Sequence, residues 1–388
     1  MGTKTLLVAT EKRFYKNHNN SIVDIDNTRS YTFWSRYLDV FDRVIVIGRV
    51  NNIKLIDNTH YVEGNNIEVY SLPYYQGIFG TLRFYRKIKS EIKKLFNNIN
   101  QPYILLRLPG TIGNIIADYC NNNKLNYSVE IVGDPFELFK CQKSPMFFFL
   151  AVYQRKTLQN IVKKATSASY VTKKHLQNIY PLKNGFTTHY SSICLNSHFF
   201  SIKSFYHIPY LSLIGIGNLD FPYKGVNILL KALKKLSKNK IDYKLTWIGT
   251  GKLIDNFKKL TIKYKIQNNI NFVGSIPNEK IPIYLEQNNI FILPSIGGEG
   301  LPRALIEAMA SSLICLGSRV GGIPELLTSE CIFKPNNPNE IYKLLKHVND
   351  NFSYYTKYSL INYNKAKEYL PKYLENKRIE FYKTIIPN

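Results

Sequence analysis

The sequence lacks a hydrophobic run long enough to cross a membrane. Its longest apolar stretch, residues 146–152, is far shorter than the roughly 20 residues that a spanning helix needs. The first ten residues contain one short apolar segment, and three charged residues follow it at once, which is not the pattern of a secretory signal peptide. We therefore expect a cytoplasmic protein, either free or peripheral on the inner face of the cell membrane.

Cysteine and histidine are also sparse, with 5 and 7 residues, and neither shows a metal-binding spacing. The lack of a Cys-x-x-Cys pair fits a reducing compartment and argues against a disulfide framework. The Gly-x-Ser-x-Gly elbow that carries the nucleophile of many hydrolases is missing as well. The sequence therefore predicts neither a metal centre nor a serine or cysteine nucleophile.

Acidic residues are scarce, because 27 Asp and Glu stand against 52 Lys and Arg, which gives a formal charge of +25. Such a charge attracts polyanions, namely nucleic acid, anionic lipid or phosphorylated substrates. The basic residues are dispersed through helical patterns without a basic arm or a recognisable nucleic-acid-binding motif, so no nucleic-acid partner is expected. A solvated surface and a surface facing an anionic membrane remain two open interpretations of this charge.

The length of 388 residues suits two domains. Short apolar runs alternate with helical patterns, which is typical of parallel βαβ units and predicts an α/β fold of two facing, doubly wound, Rossmann-like domains with a cleft between them. The strands are predicted at residues 5–9, 44–47, 103–106, 127–132, 168–171, 211–216, 244–248, 270–273, 290–293 and 313–316. The predicted join lies in residues 180–209, so the domains are residues 1–205 and 206–369, and a helix at 370–388 packs back on the first.

Glycine marks the ends of the strands in the second half, which is where ligands bind in open α/β sheets. Glycines follow all five strands predicted there, at Gly217, Gly249, Gly251, Gly274, Gly297, Gly298, Gly300, Gly317, Gly321 and Gly322. Because glycine lets backbone approach a ligand closely, we expect these loops to line a binding site.

The most informative segment is residues 292–310, where a strand, a glycine loop and a helix beginning at Pro302 are predicted. The free N–H groups and the dipole of such a helix start suit a diphosphate. Glu307 lies on the polar stripe of an otherwise apolar helix, where a carboxylate needs donors such as the hydroxyls of a ribose. Glu299, in the loop, can accept from sugar hydroxyls on the other side of the same diphosphate.

Two simpler interpretations stand beside this one. Arg303 and Glu307 can form an ordinary surface ion pair, with Glu299 as an incidental loop residue. A second glycine loop, residues 217–225, carries Lys224, which can act as a point charge on phosphates. Taken alone, this motif favours a solvated lysine before a turn glycine.

These motifs together resemble glycosyltransferase family four, whose members are retaining enzymes of the GT-B architecture. The resemblance rests on the spacing of Glu299 and Glu307, on Lys224-Gly225, and on the segments 249–251, 273–274 and 321–325. It implies transfer of a hexose-type sugar from a UDP-sugar or GDP-sugar to a glycan acceptor, without a metal cofactor. The setting that it implies is bacterial surface polysaccharide biosynthesis, such as O-antigen or capsule.

The resemblance also implies the role of individual residues. Glu299 would contact the donor sugar and stabilise the reacting centre, Glu307 would hold the ribose, and Lys224 the diphosphate. The family has an arginine where this chain has Asn218, and Arg303 is a candidate substitute for that phosphate contact. The predicted donor site comprises Gly217, Asn218, Lys224, Gly274, Ser275, Gly300, Leu301, Arg303 and Glu307, with Gly274 and Ser275 at the base.

Three acidic or basic positions of the first half are further candidates. The family often has a histidine near the position of Asp134, which is therefore predicted as a second catalytic residue that orients a hydroxyl. An Asp-Pro turn is its alternative. Arg107, at a strand end, is a second cleft candidate. Residues 24–26, Asp-Ile-Asp, resemble the metal-binding carboxylates of the other glycosyltransferase architecture, although three residues are a weak match.

The acceptor is suggested by residues 145–153, which are rich in Met and Phe and are followed by Arg155 and Lys156. This pattern suits a peripheral enzyme that acts on a polyprenyl-linked acceptor at an anionic membrane. Core packing of the three phenylalanines is the alternative. Two other classes stay open, a non-catalytic nucleotide-sugar-binding protein and, less favoured, a nucleic-acid-binding protein.

Overall fold

The chain folds around two separate, mainly parallel β-sheets. The computed structural model describes residues 3–25, 28–55, 60–141, 144–193, 195–205 and 209–387. The predicted boundary between residues 205 and 206 touches residues 206–208, which lie outside the described ranges. The last strand of the first sheet and the first strand of the second lie on either side of that boundary.

The first sheet has eight strands in the order β4-β3-β1-β5-β6-β7-β8, and β2 pairs with β1 in the antiparallel direction. All its other pairings are parallel. The strands are β1 (Thr5–Asn17), β2 (Ile22–Val23), β3 (Arg43–Leu55), β4 (Ile67–Pro73), β5 (Tyr103–Leu108), β6 (Ser128–Ile131), β7 (Ser167–Tyr170) and β8 (Phe186–His189). The helices of this part are α1 (Tyr31–Trp34), α2 (Gly77–Asn98), α3 (Thr111–Asn122), α4 (Pro135–Lys140), α5 (Pro145–Lys164) and α6 (His175–Ile179).

The second sheet has six parallel strands in the order β11-β10-β9-β12-β13-β14. They are β9 (Leu211–Ile216), β10 (Tyr243–Ile248), β11 (Ile270–Gly274), β12 (Ile290–Leu293), β13 (Ile314–Ser318) and β14 (Ile332–Phe333). The helices are α7 (Val226–Lys238), α8 (Ile254–Tyr264), α9 (Ile281–Glu286), α10 (Arg303–Ala310), α11 (Ile323–Leu326), α12 (Pro338–Asp350), α13 (Phe352–Ala366) and α14 (Pro371–Lys383).

The predicted α/β fold of two doubly wound units is confirmed, with differences in its elements. β1 and β3 are longer than predicted because they stay paired beyond a bulge, as far as Asn17 opposite Leu55. β4 was not predicted. β8 lies inside residues 180–209, which were predicted as a join without strands, and its residues are mostly only half buried at the edge of the sheet. An edge strand of four residues has too little apolar alternation to be recognised in a sequence.

The last helix, α14, returns to the first sheet and contacts β7 and β8. Arg378 donates from Nη2 to the carbonyl oxygen of Ser191 at 3.1 Å, and Thr384 contacts Ser167 at 3.1 Å. The Tyr382 ring packs against Tyr37 with 4.8 Å between centroids. The chain therefore passes from the first unit to the second and then back.

Loops that follow strands of both sheets meet face to face. The carboxylate of Glu325, on α11, accepts hydrogen bonds from the backbone N–H groups of Lys173, Lys174 and His175 at 2.5, 3.0 and 2.7 Å. These three residues follow β7 and lead into α6. A second contact lies nearby, where a Cβ added to Gly300 would meet the Val132 carbonyl oxygen at 2.5 Å. The cleft between the two units is thus framed by direct contacts, which include the charged contact of Glu325.

Replacing Glu325 by Ala removes an acceptor of three hydrogen bonds that join the two units. Hydrogen bonds to a charged group are each worth roughly 1.5–3 kcal/mol, and water can replace part of them at this partly exposed site. We expect the melting temperature to fall by about 3–8 °C, and the radius of gyration measured by small-angle scattering to increase. Glu279→Ala is the matched control, because Glu279 is exposed and its carboxylate has no hydrogen bond in the described part of the chain. If E325A has the same melting temperature as the E279A control, the contact of Glu325 with residues 173–175 contributes nothing to stability.

Candidate active site

The strand β12, the loop after it and α10 form the centre of the site, as the sequence predicted. The structure corrects one detail, because Pro302 is the N-cap of α10 and not its first helical residue; its φ of −73° and ψ of 113° are extended. The helix therefore begins at Arg303, and the side chain of the cap residue accepts no hydrogen bond from the first turn. Its first N–H groups remain available to an anion, with the helix dipole behind them.

Glu299 and Lys224 meet directly, although 75 residues separate them. The Lys224 Nζ lies 2.6 Å from Oε1 of Glu299, and the Ser295 hydroxyl donates to the same oxygen at 2.6 Å. Glu299 is only 7% exposed. Its second oxygen, Oε2, has no hydrogen-bond partner in the described ranges, so one face of this carboxylate can receive a ligand hydroxyl.

The electrostatics of this pair fix the charge of the lysine. Burial disfavours the charged ammonium, but the carboxylate of Glu299, helped by Tyr223, outweighs it and raises the pKa of Lys224 above its usual value. Lys224 is therefore cationic at neutral pH in a place where solvent screens little. A single positive charge so held is suited to the negative charge that develops on a departing diphosphate.

Glu307 stands one helical turn into α10 and is half buried. In the described residues its carboxylate has neither a hydrogen bond nor an ion pair, and the surface pair with Arg303 is not formed. Burial raises the pKa of Glu307, and the charge of Arg303 opposes that shift. A half-buried carboxylate without a donor is costly, so this position is consistent with a ligand that supplies hydroxyl donors.

Glycine was predicted at these positions because it lets the backbone approach a ligand. At most of them the structure shows a different reason. A Cβ on Gly225 would meet the Pro294 carbonyl oxygen at 1.9 Å, and a Cβ on Gly217 would meet the Lys224 side chain at 2.8 Å. Gly225 and Gly300 thus make room for a neighbouring loop, and Gly217 makes room for the side chain of Lys224 on its own loop. Gly274 differs, because its φ is +86° and nothing lies within 4 Å of an added Cβ, so this position borders open space.

The other predicted donor residues lie on the same loops. Asn218 is exposed, and its side chain accepts from the backbone N–H of Asp220 at 2.7 Å, which leaves its amide group free to point outwards. Ser275 is exposed after β11. Leu301 packs against the apolar cores of both units. The structure thus brings the predicted residues to one rim of the second sheet, while their contacts with a donor stay a prediction.

Asp134 is committed to structural contacts. It is 4% exposed and is the N-cap of α4, where it accepts from the backbone N–H of Phe136 at 2.9 Å. Arg155 donates to the other carboxylate oxygen, Oδ2, at 2.6 Å. The hydroxyl of Tyr180 donates to Oδ1, the oxygen that accepts from Phe136. This arrangement favours the Asp-Pro turn over the orientation of a substrate hydroxyl, and the catalytic role predicted for Asp134 stays untested.

Arg107 lies in the interior of the first unit and not on an open cleft wall. It is 5% exposed, pairs with Glu130, and donates to the hydroxyl of Tyr37 at 3.2 Å. The acidic triplet is also engaged elsewhere, because Lys12 lies 2.7 Å from Asp24; Asp26 lies outside the described residues. No group of three or more His, Cys, Asp or Glu side chains within the described ranges is arranged to hold a metal ion.

Three residues have roles in the structure that the sequence did not predict. Ser295 orients Glu299, Tyr223 supports the charge of Lys224, and Glu325 joins the two units. Ser295 and Tyr223 each lie one or a few residues from a predicted site residue, so their place on the same loops is the signal that was available. The partner of Glu325 lies about 150 residues away, and no local pattern indicates it.

Comparison with known proteins agrees with this site. Residues 213–365, which contain both loops and α10, match the family model described as glycosyl transferases group 1. Protein CapJ of Staphylococcus aureus is 29% identical over 329 residues, 82% of this chain and 80% of CapJ. The amylovoran biosynthesis glycosyltransferase AmsK of Erwinia amylovora is 35% identical over 109 residues, 27% of each chain.

A solved structure supports the fold independently. The Anabaena protein HepE, in complex with UDP and glucose, superposes with a TM-score of 0.66 over 98% of both chains at 13% identity. At that identity the likeness concerns the fold alone. With the family match across the second unit and the long alignment to CapJ, the resemblance drawn from the motifs is confirmed. Residues 213–365 therefore carry the match to the group 1 glycosyltransferases, and the chain has the GT-B fold.

Proposed function

We propose that this protein is a retaining hexosyltransferase that moves a sugar from a UDP-sugar or GDP-sugar to a polyprenyl-linked glycan in bacterial surface polysaccharide assembly, such as O-antigen or capsule. The observation that carries the proposal is the buried contact of Lys224 with Glu299 beside the start of α10. It joins a fixed cation, a carboxylate with a free oxygen and a helix N-terminus on neighbouring loops. A donor made of a sugar, a diphosphate and a nucleoside offers complementary groups in that order.

The donor is assigned as follows in this proposal. The first turn of α10 and the Lys224 ammonium bind the diphosphate. Glu307, lower on the helix, accepts from the ribose hydroxyls, and Gly274 with Ser275 borders the base across open space. Glu299 accepts from a hydroxyl of the sugar through Oε2. The UDP and glucose in the HepE structure are consistent with a donor of this class.

The chemistry needs stabilisation of the leaving group more than a nucleophile from the protein. As the bond between the sugar and the diphosphate breaks, negative charge grows on the leaving oxygen. Lys224 and the N–H groups of α10 oppose that charge without reorganising, while Glu299 positions the sugar. We propose that these groups make a metal ion unnecessary.

The acceptor side of the proposal rests on exposed apolar side chains at the starts of α5 and α2. On α5, Met146 is 63% exposed, Phe149 73% and Tyr153 64%. On α2, Phe79 is 88% exposed and Leu82 68%. We call these five residues the apolar surface. Single exposed apolar residues are ordinary, whereas such a concentration marks an interaction site.

The two helices present this surface together. Helix α3 contacts both α2 and α5, so the two exposed stretches belong to helices that flank the same neighbour. Among the three phenylalanines, Phe147 stacks on Phe139, while Phe148 is 48% exposed. The alternative of core packing is therefore wrong for Phe148 and Phe149, while Phe147 is half buried and belongs to neither apolar core.

Helix α2 follows β4, and α5 follows β6 with the short helix α4 between them. The α4–α5 pair also borders the donor loop, because a Cβ on Gly297 would lie 3.1 Å from the Glu137 carboxylate. Exposed Arg83, Arg86 and Lys156 flank the apolar side chains. Apolar anchors with basic neighbours suit an anionic lipid surface. No helix in the described part of the chain is long and apolar enough to span a bilayer.

Glu299→Gln tests the catalytic assignment. The amide keeps the size of the side chain but loses the charge that pairs with Lys224 and the acceptor for the sugar. We expect donor hydrolysis to fall at least 100-fold, and by a larger factor than the binding of the free nucleoside diphosphate. The measurement is nucleotide release from UDP-glucose or GDP-mannose, with Glu279→Gln as the control. Equal hydrolysis rates in E299Q and wild type would point instead to a nucleotide-sugar-binding protein without turnover.

Phe79→Ser and Phe149→Ser test the membrane assignment. Each change removes an aromatic side chain whose burial in the lipid interface is worth about 1.5–3 kcal/mol, so we expect each to weaken vesicle binding by about tenfold or more. The measurement is co-sedimentation with vesicles of phosphatidylcholine containing phosphatidylglycerol, and with pure phosphatidylcholine. Ile262→Ser on α8 is the control, because Ile262 is also 63% exposed but belongs to the second unit. Binding that is equal in all variants would refute the assignment.

A further inference from the structure

Three tyrosine rings pack together in the interior of the first unit. The centroid of the Tyr382 ring, on α14, lies 4.8 Å from that of Tyr37, which follows α1, and 6.5 Å from that of Tyr190, which follows β8. Each of the three side chains is at most 5% exposed. The rings therefore connect the returning helix α14 to the body of the first unit.

Three arginines lie against these rings. The guanidinium carbon of Arg36 lies 5.1 Å from the Tyr37 centroid, and that of Arg378 lies 5.9 Å from the Tyr190 centroid. Arg107 donates from Nη1 to the Tyr37 hydroxyl at 3.2 Å. Arg107 and Arg378 are 5% and 8% exposed, and Arg36 is half buried. Because a guanidinium group stays protonated in proteins, three positive charges meet where water has little access.

One carboxylate balances this charge in part. Glu130 is 2% exposed and pairs with Arg107, and two of the tyrosines donate to its oxygens. In the part of the chain that the structure describes, neither Arg36 nor Arg378 forms an ion pair. We call the three tyrosines, the three arginines and Glu130 the buried cluster. Its three arginines exceed its one glutamate by two positive charges.

The contacts of the two unpaired arginines do not neutralise them. Arg378 donates to two backbone carbonyl oxygens at 3.1 and 3.5 Å. Arg36 donates to the Tyr37 hydroxyl at 3.3 Å, and its guanidinium carbon lies 3.7 Å from the centroid of Phe33. A carbonyl, a hydroxyl and a ring face attract a cation without cancelling its charge. Buried charges that lack a counter-ion are costly.

Three donors of the buried cluster also lack an acceptor. Within the described ranges, Nε of Arg36, Nε of Arg378 and the hydroxyl of Tyr382 are buried and make no hydrogen bond. Buried polar atoms of this kind are rare, and a water molecule or an ion is their usual partner. Since all three atoms can donate, the partner is an acceptor. The surplus of positive charge favours a negatively charged one.

The space beside the buried cluster limits the size of such a partner. A cavity of about 10 Å³ lies at the carboxyl ends of β6 and β7, and Arg107, Glu130 and Tyr190 are among its lining residues. This volume is enough for one water molecule or one monatomic ion and is too small for a phosphate or a sugar.

We propose that the buried cluster binds one monovalent, monatomic anion of the chloride class, held by the Tyr382 hydroxyl and by the guanidinium groups of Arg36 and Arg378. Hydrogen bonds from a guanidinium group to an anion are charge-assisted and stronger than those to a neutral acceptor. Because Arg378 and Tyr382 lie on α14 and Arg36 follows α1, the anion fastens α14 to the first unit. The site is independent of the proposed function, since none of these side chains is assigned to the donor or the acceptor.

The test is the melting temperature in sodium chloride, titrated against sodium gluconate at constant ionic strength so that screening of surface charges does not change. We expect chloride to stabilise the wild type in a saturable manner. Tyr382→Phe removes a hydroxyl that has no partner in the described chain, so in gluconate alone it should melt at or above the wild type. The same variant should need at least tenfold more chloride for half of the gain.

Tyr127→Phe is the matched control. Tyr127 is buried in the same unit, and its hydroxyl donates to the Ile161 carbonyl oxygen at 2.9 Å. We expect Y127F to melt below the wild type by the same amount in both salts and to keep the response to chloride. Arg36→Gln removes one of the two unpaired charges and should also raise the required chloride at least tenfold.

Bromide locates the anion directly, because it replaces chloride and scatters X-rays anomalously. In crystals grown with sodium bromide we expect an anomalous peak beside the Tyr382 hydroxyl. The inference is overturned if chloride stabilises the wild type no more than gluconate does, which makes water the partner of these donors. It is overturned equally if Y382F and Y127F respond to chloride alike, or if bromide peaks lie only on the protein surface.

Discussion

The ion pair of Lys224 and Glu299 connects the loop after β9 with the loop after β12 at the edge of the second sheet. Buried charges are tolerated when each is paired and hydrogen-bonded, and Ser295 supplies the additional donor here. The pair therefore holds both loops in position and keeps the lysine protonated. The start of α10, Glu307 and the open space at Gly274 are arranged around this contact, so the proposed donor site depends on it.

The two units contribute differently to the cleft. The second supplies the cation, the carboxylates and the helix start, whereas the first supplies backbone contacts and exposed apolar helices. Glu325 and Gly300 bring the edges of the two sheets together. A donor bound on one side would then meet an acceptor presented from the other, with the apolar surface of α5 and α2 beside the entrance.

Much of the fold could be predicted from the sequence, and so could the local elements that carry the proposed donor site. The rhythm of strands and helices gave the two-unit α/β fold, and the strand, glycine loop and helix around Glu299 and Glu307 gave the centre of the site. Both signals are local. The contact of Lys224 with Glu299 could not be predicted because the residues are 75 positions apart, although both were identified separately.

Other positions show why strand-end residues are ambiguous. Asp134 and Arg107 follow or end strands, as catalytic residues often do, yet both have their polar atoms engaged within the first unit. Whether such a residue faces a ligand depends on partners distant in sequence, which are Arg155 and Tyr180 for Asp134 and Glu130 for Arg107. The sequence did not predict whether Phe149 is exposed, because an apolar helical segment has the same sequence pattern whether it faces a core or a membrane. The glycines were recognised, but most of them accommodate a neighbouring loop.

The central claim is that the loops after β9 and β12, with α10, bind a nucleoside diphosphate. The most direct measurement is a thermal-shift series with UDP, GDP, ADP and CDP on the wild type and on Glu307→Gln. We predict that at least one nucleotide stabilises the wild type, by about 2.7 kcal/mol at 100 times its Kd, and that the Kd rises at least tenfold in E307Q because the ribose loses its acceptor. Stabilisation of the wild type by none of the nucleotides would contradict the account.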